Sequence, residues 1–538
     1  MTMTKYLYFA TALLLITTSI NAQTEDHALR FSAQKPTGTA RSIGLGGAMG
    51  ALGGDYSAIG INPAGIAVYR SSEFSFTPSL IFGQTESDYY GNLSNDDKFS
   101  VPINQISYVG TSRLMREVEN GLVSTHFGIG YNRTNNYNRK SFIQADGVES
   151  SLLDAFVENS IDFTPQQLDN FYTGIAYDAR LTELMPNSEY YDYLNAFEYV
   201  KGDGTIALGP QNGLNQMKLM TESGYSGLFD FSFGANFSNQ FYLGASLGIA
   251  TLENKIETQH YEQGGDEDPS FETYRLDNGF EILDDFYFDE YERTSGTGLN
   301  FKIGAIYKPI NSIRIGASLH TPTYYSMKTE YDTKARANFF DADNYEITSD
   351  LGEISYNFRT PLKAVGSFAY IIGTKGLVSV DYEYTDYSSM KYNSKNNHIN
   401  ETAQFNATNT AINEIFRATH NLRFGAEYRV SPMLSLRGGY AMFQNPYKQD
   451  KNLLNADGDH YNVTGGIGFR NGNMTIDVAY LYNYETYIHS LYSVSDSFFG
   501  VLQQNGRFPE NTSKNENYAP AYMTAKDHHL AVTLGWRF

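Results

Sequence analysis

Gly244-Ala245-Ser246-Leu247-Gly248 spells, letter for letter, the elbow that lifts a nucleophilic serine above a sheet for acyl transfer. That chemistry needs a sharp strand-to-helix turn. Here an apolar/polar alternation runs straight through the motif, so Ser246 reads as an ordinary inward residue of a strand, with Ala245 and Leu247 on the other face. Gly44-Leu45-Gly46 falls short of a dinucleotide fingerprint, because Met49 stands where the third glycine belongs and no strand precedes it. The ten histidines form no zinc-type spacing. His320, ahead of Thr321-Pro322, ends a strand and could approach a haem, although an interfacial histidine is the plainer reading. His528-His529 put one ring on each face of a strand and read as surface residues. Carboxylates crowd residues 262–292, including Asp266-Glu267-Asp268, Asp284-Asp285 and Asp289-Glu290. Such oxygens suit calcium, but a solvated acidic loop is the better reading. No acid pair has a visible frame for hydrolysis. The sequence therefore nominates no catalytic residue, no metal ligand and no cofactor, and the chain reads as a non-enzyme.

The elements that carry these residues are strands. From about residue 72 the dominant period is two. Phe74, Phe76, Leu80 and Phe82 share one face; Phe229, Phe231 and Phe233 share another, and so do Phe241, Leu243, Leu247 and Ile249. Leu299, Phe301, Ile303 and Tyr307 face Ile313, Ile315 and Leu319 across a turn at Pro309-Ile310-Asn311. Interleaved positions are small or polar, as in Asn300, Lys302 and Gly304. About fourteen strands can be counted, an even number as bacterial single-chain barrels require. Short turns near 239, 310, 374, 431 and 471 alternate with long polar segments, the longest at 135–224 and 255–295. Short inner turns and long outer loops are the habit of outer-membrane barrels. The segment 150–185 carries Leu152-Leu153-Asp154-Ala155-Phe156 and Thr164-Pro165-Gln166-Gln167-Leu168, which predict helices lying over the barrel mouth.

Composition supports the same class. Aromatics make up 15%, with 43 Tyr, 35 Phe and 48 Gly, while mean hydropathy is -0.41. No apolar run long enough for a spanning helix follows the first residues. A polar average rich in Tyr, Phe and Gly fits strands with one face in lipid and one in water. The net charge of -21 argues against nucleic acid. Lys5, the apolar stretch Tyr6 to Thr18 and Ile20-Asn21-Ala22 predict a signal peptide over 1–22, cleaved near Ala22. With no cysteine, the chain has neither a lipid-anchor site nor disulfides. The last strand alternates through His528, Leu530, Val532, Leu534, Trp536 and Phe538 to the terminal residue. Trp536 and Phe538 sit where an aromatic girdle would lie, and this ending resembles the signal read by barrel-assembly machinery.

Between the signal and the first strand lies a run of small residues, Gly38 to Leu52 with Gly44, Gly46, Gly47 and Gly50, followed by Asn62-Pro63-Ala64. Small residues let a backbone pack closely in a confined space, so residues 23–71 predict a plug and 72–538 the transmembrane barrel. At Gly46-Gly47 and Asn62-Pro63-Ala64 the chain resembles the FadL-type outer-membrane transporters of hydrophobic compounds and their hatch motif. Ala305-Ile306-Tyr307-Lys308-Pro309, Thr360-Pro361-Leu362, Val380-Asp381-Tyr382, Gly425-Ala426-Glu427-Tyr428-Arg429 and Arg437-Gly438-Gly439-Tyr440 extend the resemblance. It is similar to a Bacteroidetes branch often labelled haemin receptors, a label the residues neither support nor exclude.

The resemblance implies an all-β, fourteen-stranded antiparallel transmembrane barrel with an N-terminal hatch and long, partly helical extracellular loops. It implies a Gram-negative outer membrane and a monomer. A hydrophobic ligand, long-chain fatty acid-like, would shift the hatch and leave sideways into outer-membrane lipid. The ligand-binding residues are unknown at this level. A carrier protein of a secretion system, a haemin receptor and an outer-membrane hydrolase using Ser246 are the competing classes.

Overall fold

The computed structural model describes residues 24–35, 37–114, 121–185, 192–265, 268–340, 342–396, 398–449, 458–509 and 511–538. The expected signal peptide, Asp266-Glu267 and most of the first inner connection lie outside them.

Fourteen antiparallel strands close into one barrel once segments that continue through a bulge are joined. They are β1 (Glu73–Tyr89), β2 (Asn92–Ser100 and Ile103–Arg113), β3 (Leu122–Asn136 and Arg139–Val148) and β4 (Leu214–Phe237). Next come β5 (Phe241–Gln263), β6 (Leu283–Ile310), β7 (Ile313–His320 and Tyr324–Phe339) and β8 (Gly352–Arg359 and Lys363–Ile372). β9 (Gly376–Asp386 and Lys391–Ser394), β10 (Ala418–Arg429), β11 (Leu434–Met442) and β12 (His460–Asn471) follow. β13 (Met474–His489) and β14 (Ala521–Arg537) complete the set, and Glu73↔Arg537 begins the seam that pairs β14 with β1.

The period-two reading decides which face is which. Phe229, Phe231, Phe233, Leu243, Leu247, Leu299, Phe301 and Ile303 are exposed on the outside, and Asp230, Ser232, Ser246 and Lys302 are buried inside. A folded chain leaves a continuous band of Phe and Leu uncovered only where lipid, not water, is the solvent. About ten residues suffice to cross the bilayer, whereas β6 has 28 residues and β4 has 24. The surplus rises above the membrane. For that reason the outer segments begin later than the sequence suggests: 139–148 and 214–224 are strand within the expected loop 135–224, and the expected loop 255–295 is strand except at 264–282. The alternation weakens there because both faces meet polar surroundings, so periodicity alone missed it.

The outer loops fold into a dome over the barrel. Helix α4 (Leu152–Ser160) is capped by Ser151, as expected of that stretch, but Pro165–Gln167 makes only a single 3₁₀ turn. Leu153, Phe156, Phe197, Phe286, Phe288 and Phe339 form one buried cluster, and Tyr193, Phe498, Phe499, Phe508 and Tyr518 belong to another. Charges inside the dome are paired: Arg507 Nε lies 2.8 Å from Glu198 Oε1 and Arg275 Nη2 lies 2.8 Å from Glu183 Oε2.

Candidate functional site

The lumen is filled by the chain that precedes β1, at two levels. The lower body comprises α2 (Ala40–Gly44), α3 (Tyr56–Ile59) and a 3₁₀ helix, Pro63–Val68. Short polar caps start each turn: Thr39 accepts from Ser42 N, Asp55 from Ser57 N at 2.9 Å, and Asn62 Oδ1 from Ala64 N at 3.1 Å. Proline at the first position of the last turn costs no hydrogen bond there. Thr39 Oγ1 donates to both oxygens of Asp55 at 2.8 Å, tying the two ends of the small-residue run together.

Asn62 lies at the contact between this body and the wall. Its Nδ2 donates to Gly50 O at 2.8 Å and to Ala305 O of β6 at 3.1 Å, so one amide ties two turns of the body to a strand. Pro63 and Ala64 are buried beside it; a Cβ on Gly244 of β5 would lie 2.2 Å from Pro63 O. Gly46 and Gly47 have φ of +63° and +78°, a conformation that disfavours side chains. A Cβ on Gly46 would also lie 2.9 Å from Phe424 O and Tyr440 N, which shows how closely body and wall approach.

Wall side chains complete the attachment. Gly50 N donates to Asp381 Oδ2 at 2.9 Å, Ala40 N to Thr533 Oγ1 at 2.7 Å, and Ser318 Oγ to Ile61 O at 2.6 Å. His320 Nε2 lies 2.9 Å from the same Ile61 carbonyl, to which its N–H donates. This corrects the interfacial reading of His320: it is buried in the lumen and committed to the N-terminal segment, so the candidate haem contact is already occupied. His529 is likewise inside, 3.0 Å from Asn104 Nδ2, while His528 faces outward beside Tyr480. Ser246 lies on a straight strand, donates to Asp230 Oδ1 at 2.9 Å and accepts from Ser232. Lys302 Nζ approaches the same aspartate at 3.3 Å. Ser246 therefore belongs to a polar wall cluster and lacks the elbow's turn.

The upper level was not foreseen in the sequence. Helix α1 (Glu25–Ser32), capped by Thr24, sits inside the barrel far above the lower body. Arg30 pairs with Glu222 of β4 at 3.0 Å, and Tyr447 OH donates to Asp26 Oδ1 at 2.9 Å. Ala28 and Phe31 are buried in an aromatic pocket with Tyr325, Met327, Tyr356, Phe358, Tyr392 and Phe405. A signal was available: Thr24 ahead of Glu25-Asp26 is a helix start, and Ala28 and Phe31 are three residues apart on one face. Residues 33–35 lead away from it towards the lower body, and Lys35 Nζ pairs with Glu485 Oε2 at 3.0 Å on the way.

Between the levels lies a chamber of about 340 Å³. Leu29, Tyr137, Ile81 and Phe443 line it together with ion-paired groups such as Arg139, Glu383 and Glu485. Arg423 Nη2 and Lys363 Nζ approach Glu383 Oε2 at 2.7 and 3.4 Å, so two cations share one carboxylate. A second cavity, about 950 Å³, opens below the lower body and is rich in arginine, including Arg41, Arg70, Arg314 and Arg437. At the closing seam Trp536 faces outward with its ring 6.2 Å from Phe74, and Phe538 stacks on Tyr108 at 6.1 Å. Among the described residues no cluster of three metal-ligating side chains occurs.

A closed, lipid-banded, fourteen-stranded cylinder occupied by its own leading segment is an outer-membrane transport barrel. The family model described as outer membrane protein transport protein (OMPP1/FadL/TodX) matches residues 238–492, and over that stretch the chain is similar to it. Two solved structures share the fold over nearly the whole length. The Pseudomonas aeruginosa FadL homologue matches at 14% identity with a TM-score of 0.51, covering 94% of this chain and 99% of its own. The P. putida toluene transporter TodX matches at 13% identity and 0.50, with the same coverage. No curated protein matches.

Proposed function

We propose that the protein admits hydrophobic small molecules, long-chain fatty acid-like, across the outer membrane by ligand-gated diffusion, with residues 39–68 as the hatch and sideways exit into lipid. The observation that carries this reading is the state of the lumen. The N-terminal segment obstructs it twice, held without covalent links by hydrogen bonds, ion pairs, the insertion of Ala28 and Phe31 into an aromatic pocket, and apolar contacts of Ile43, Leu45, Met49 and Ala64 with the wall. Such an attachment can be exchanged for a ligand. An acyl chain entering that pocket gains roughly 0.8 kcal/mol per buried methylene, so a long chain can compete with one phenylalanine. Displacement of α1 would then loosen residues 33–38 and pull on the lower body, a shift of population that needs no other energy source. Asn62, Pro63, Ala64, Gly46 and Gly47 act as the hatch's hinge and seat. Trp536 and Phe538 serve assembly, and the segment ending at Ala22 serves export from a Gram-negative cytoplasm.

The test is uptake of labelled long-chain fatty acid and of toluene, the compound named for TodX, in a strain lacking the protein and in the complemented strain. Restored uptake supports the proposal; equal uptake in both strains over several hydrophobic solutes rejects it. The folded dome also suits a carrier for exported proteins. Capture of secreted partners by the dome, with nothing bound in the lumen, would favour that second reading.

A further inference from the structure

The strands of the barrel wall are interrupted side by side at β7, β8 and β9, in addition to the break at Val101-Pro102 of β2. In β7 the strand breaks at Thr321-Pro322-Thr323, and in β8 at Thr360-Pro361-Leu362. The two breaks are adjacent: ladder pairing stops at Tyr324↔Arg359 and resumes at His320↔Lys363. The neighbouring β9 breaks at the same level, where Tyr387–Ser389 forms a 3₁₀ turn between Asp386 and Lys391. Proline has no N–H to give a ladder, so Pro322 and Pro361 make the interruption a property of the sequence.

A recess of about 640 Å³ lies beside these breaks, above the outer faces of β5 to β9. That is within the ~300–1,000 Å³ range of small-molecule sites. Its apolar rim is Ile249, Leu299 and Tyr324, all exposed, with Tyr324 60% exposed. Its upper rim is Ser326, Asn357, Asn393, Arg359 and Lys391. The recess therefore straddles the line where outward residues of β6 and β7 change from Phe301, Ile303 and Leu319 to Ser326 and Lys328. Two cations line it and no carboxylate does, in a chain of net charge -21. Its floor includes Tyr325 and Phe358, buried inward-pointing rings, beside a break that Thr323 and Thr360 bridge by hydrogen bonds. Phe31 of α1 stands behind that floor.

We infer that this recess binds an anionic amphiphile of the surrounding membrane, its acyl part on Leu299 and Tyr324 and its acidic headgroup on Arg359 and Lys391. Charge, height and shape each select this occupant. Apolar rim residues lie at the depth of hydrocarbon, cations at the depth of headgroups, and long basic side chains at such an interface favour anionic lipid. The site stands whether or not solute crosses the barrel, so its failure and that of the transport reading are separable.

The whole protein, placed in nanodiscs, carries Tyr324→Trp as a reporter, with the signal of Trp536 in the parent subtracted. Brominated phosphatidylglycerol and brominated phosphatidylcholine are compared as quenchers at equal mole fraction. The expected result is a preference of at least about threefold for the acidic lipid, abolished in R359Q/K391Q and retained in R429Q/K375Q at the opposite end of the barrel. Equal quenching by the two lipids overturns the inference, as does a preference that survives R359Q/K391Q. Because Arg359 is half-buried and also donates to Ser389 O at 3.0 Å, heat-modifiable mobility on gels verifies that the double variant is a closed barrel. A variant that fails this check is replaced by K391Q alone, with a partial loss of preference expected and an undiminished one fatal.

Discussion

Phe31 of the N-terminal helix stands edge-on to Phe358 of β8, ring centroids 6.3 Å apart at an interplanar angle of 76°. The contact joins the N-terminal helix to the wall at the level of the dome. It makes the proposed gate a matter of aromatic packing rather than of charge alone.

Phe31→Ala empties that pocket. Truncating a buried phenylalanine costs about 3–5 kcal/mol, more than a helix held otherwise by peripheral pairs can absorb. Amide exchange over residues 25–35 is expected to rise to near-solvent rates while the barrel's own melting stays unchanged. Parental protection in the variant would mean that Phe31 does not hold the helix.

Asn62→Ala removes two donations to carbonyls and the cap on Ala64 N. Each lost bond to a buried group costs about 1–3 kcal/mol. Single-channel recordings in planar bilayers are expected to show more frequent opening, with faster exchange over residues 48–66. Conductance and uptake identical to the parent would strip Asn62 of its part in gating.

Gly304→Ala tests the same contact from the wall. A Cβ there would lie 2.0 Å from Asn62 Oδ1, too close to be tolerated. The barrel should fold as before while the lower body is displaced, giving a phenotype that resembles Asn62→Ala and does not add to it. Additive effects would show that the two residues act separately.

The dome should respond to pH. Burial pushes the Glu183 carboxyl up to about 7, and Arg275 beside it offsets this only in part. A raised carboxyl contributes stability that is present below its unfolded value and lost as pH rises through the folded one. Burial also raises Glu198 next to Asp154, in the same direction. Protection factors over residues 150–185 and 192–213, which correct for the intrinsic pH dependence of amide exchange, are therefore expected to be higher at pH 6 than at pH 8, with Glu183→Gln flattening the difference. A dome that loosens on acidification would refute this.

The strands and their outward face were legible because a lipid-facing band obliges every second residue to be large and apolar, as in Phe229, Phe231 and Phe233. The inner segment was legible for a related reason: Gly46, Gly47 and Asn62-Pro63-Ala64 bear the marks of a backbone pressed against another backbone. What periodicity missed lies where both sides of a strand meet polar partners, as in 139–148, or where a short helix packs only against residues distant in sequence. Phe31 and Phe358 are 327 positions apart, and nothing local to either announces the other. His320 was misplaced for the same reason, since its partner, the Ile61 carbonyl, lies 259 residues away.

Residues 24–68 run from the dome to the lower rim inside a cylinder whose final seam joins β14 to β1. Ladder pairing runs on both sides of β14, so the cylinder closes around the segment it encloses. The simplest order of assembly has that segment in place within a half-curled sheet before the seventeen-residue β14 shuts it. Barrel closure and the proposed gating thus draw on the same stretch of chain, and a variant that releases it too readily risks closing as an empty tube.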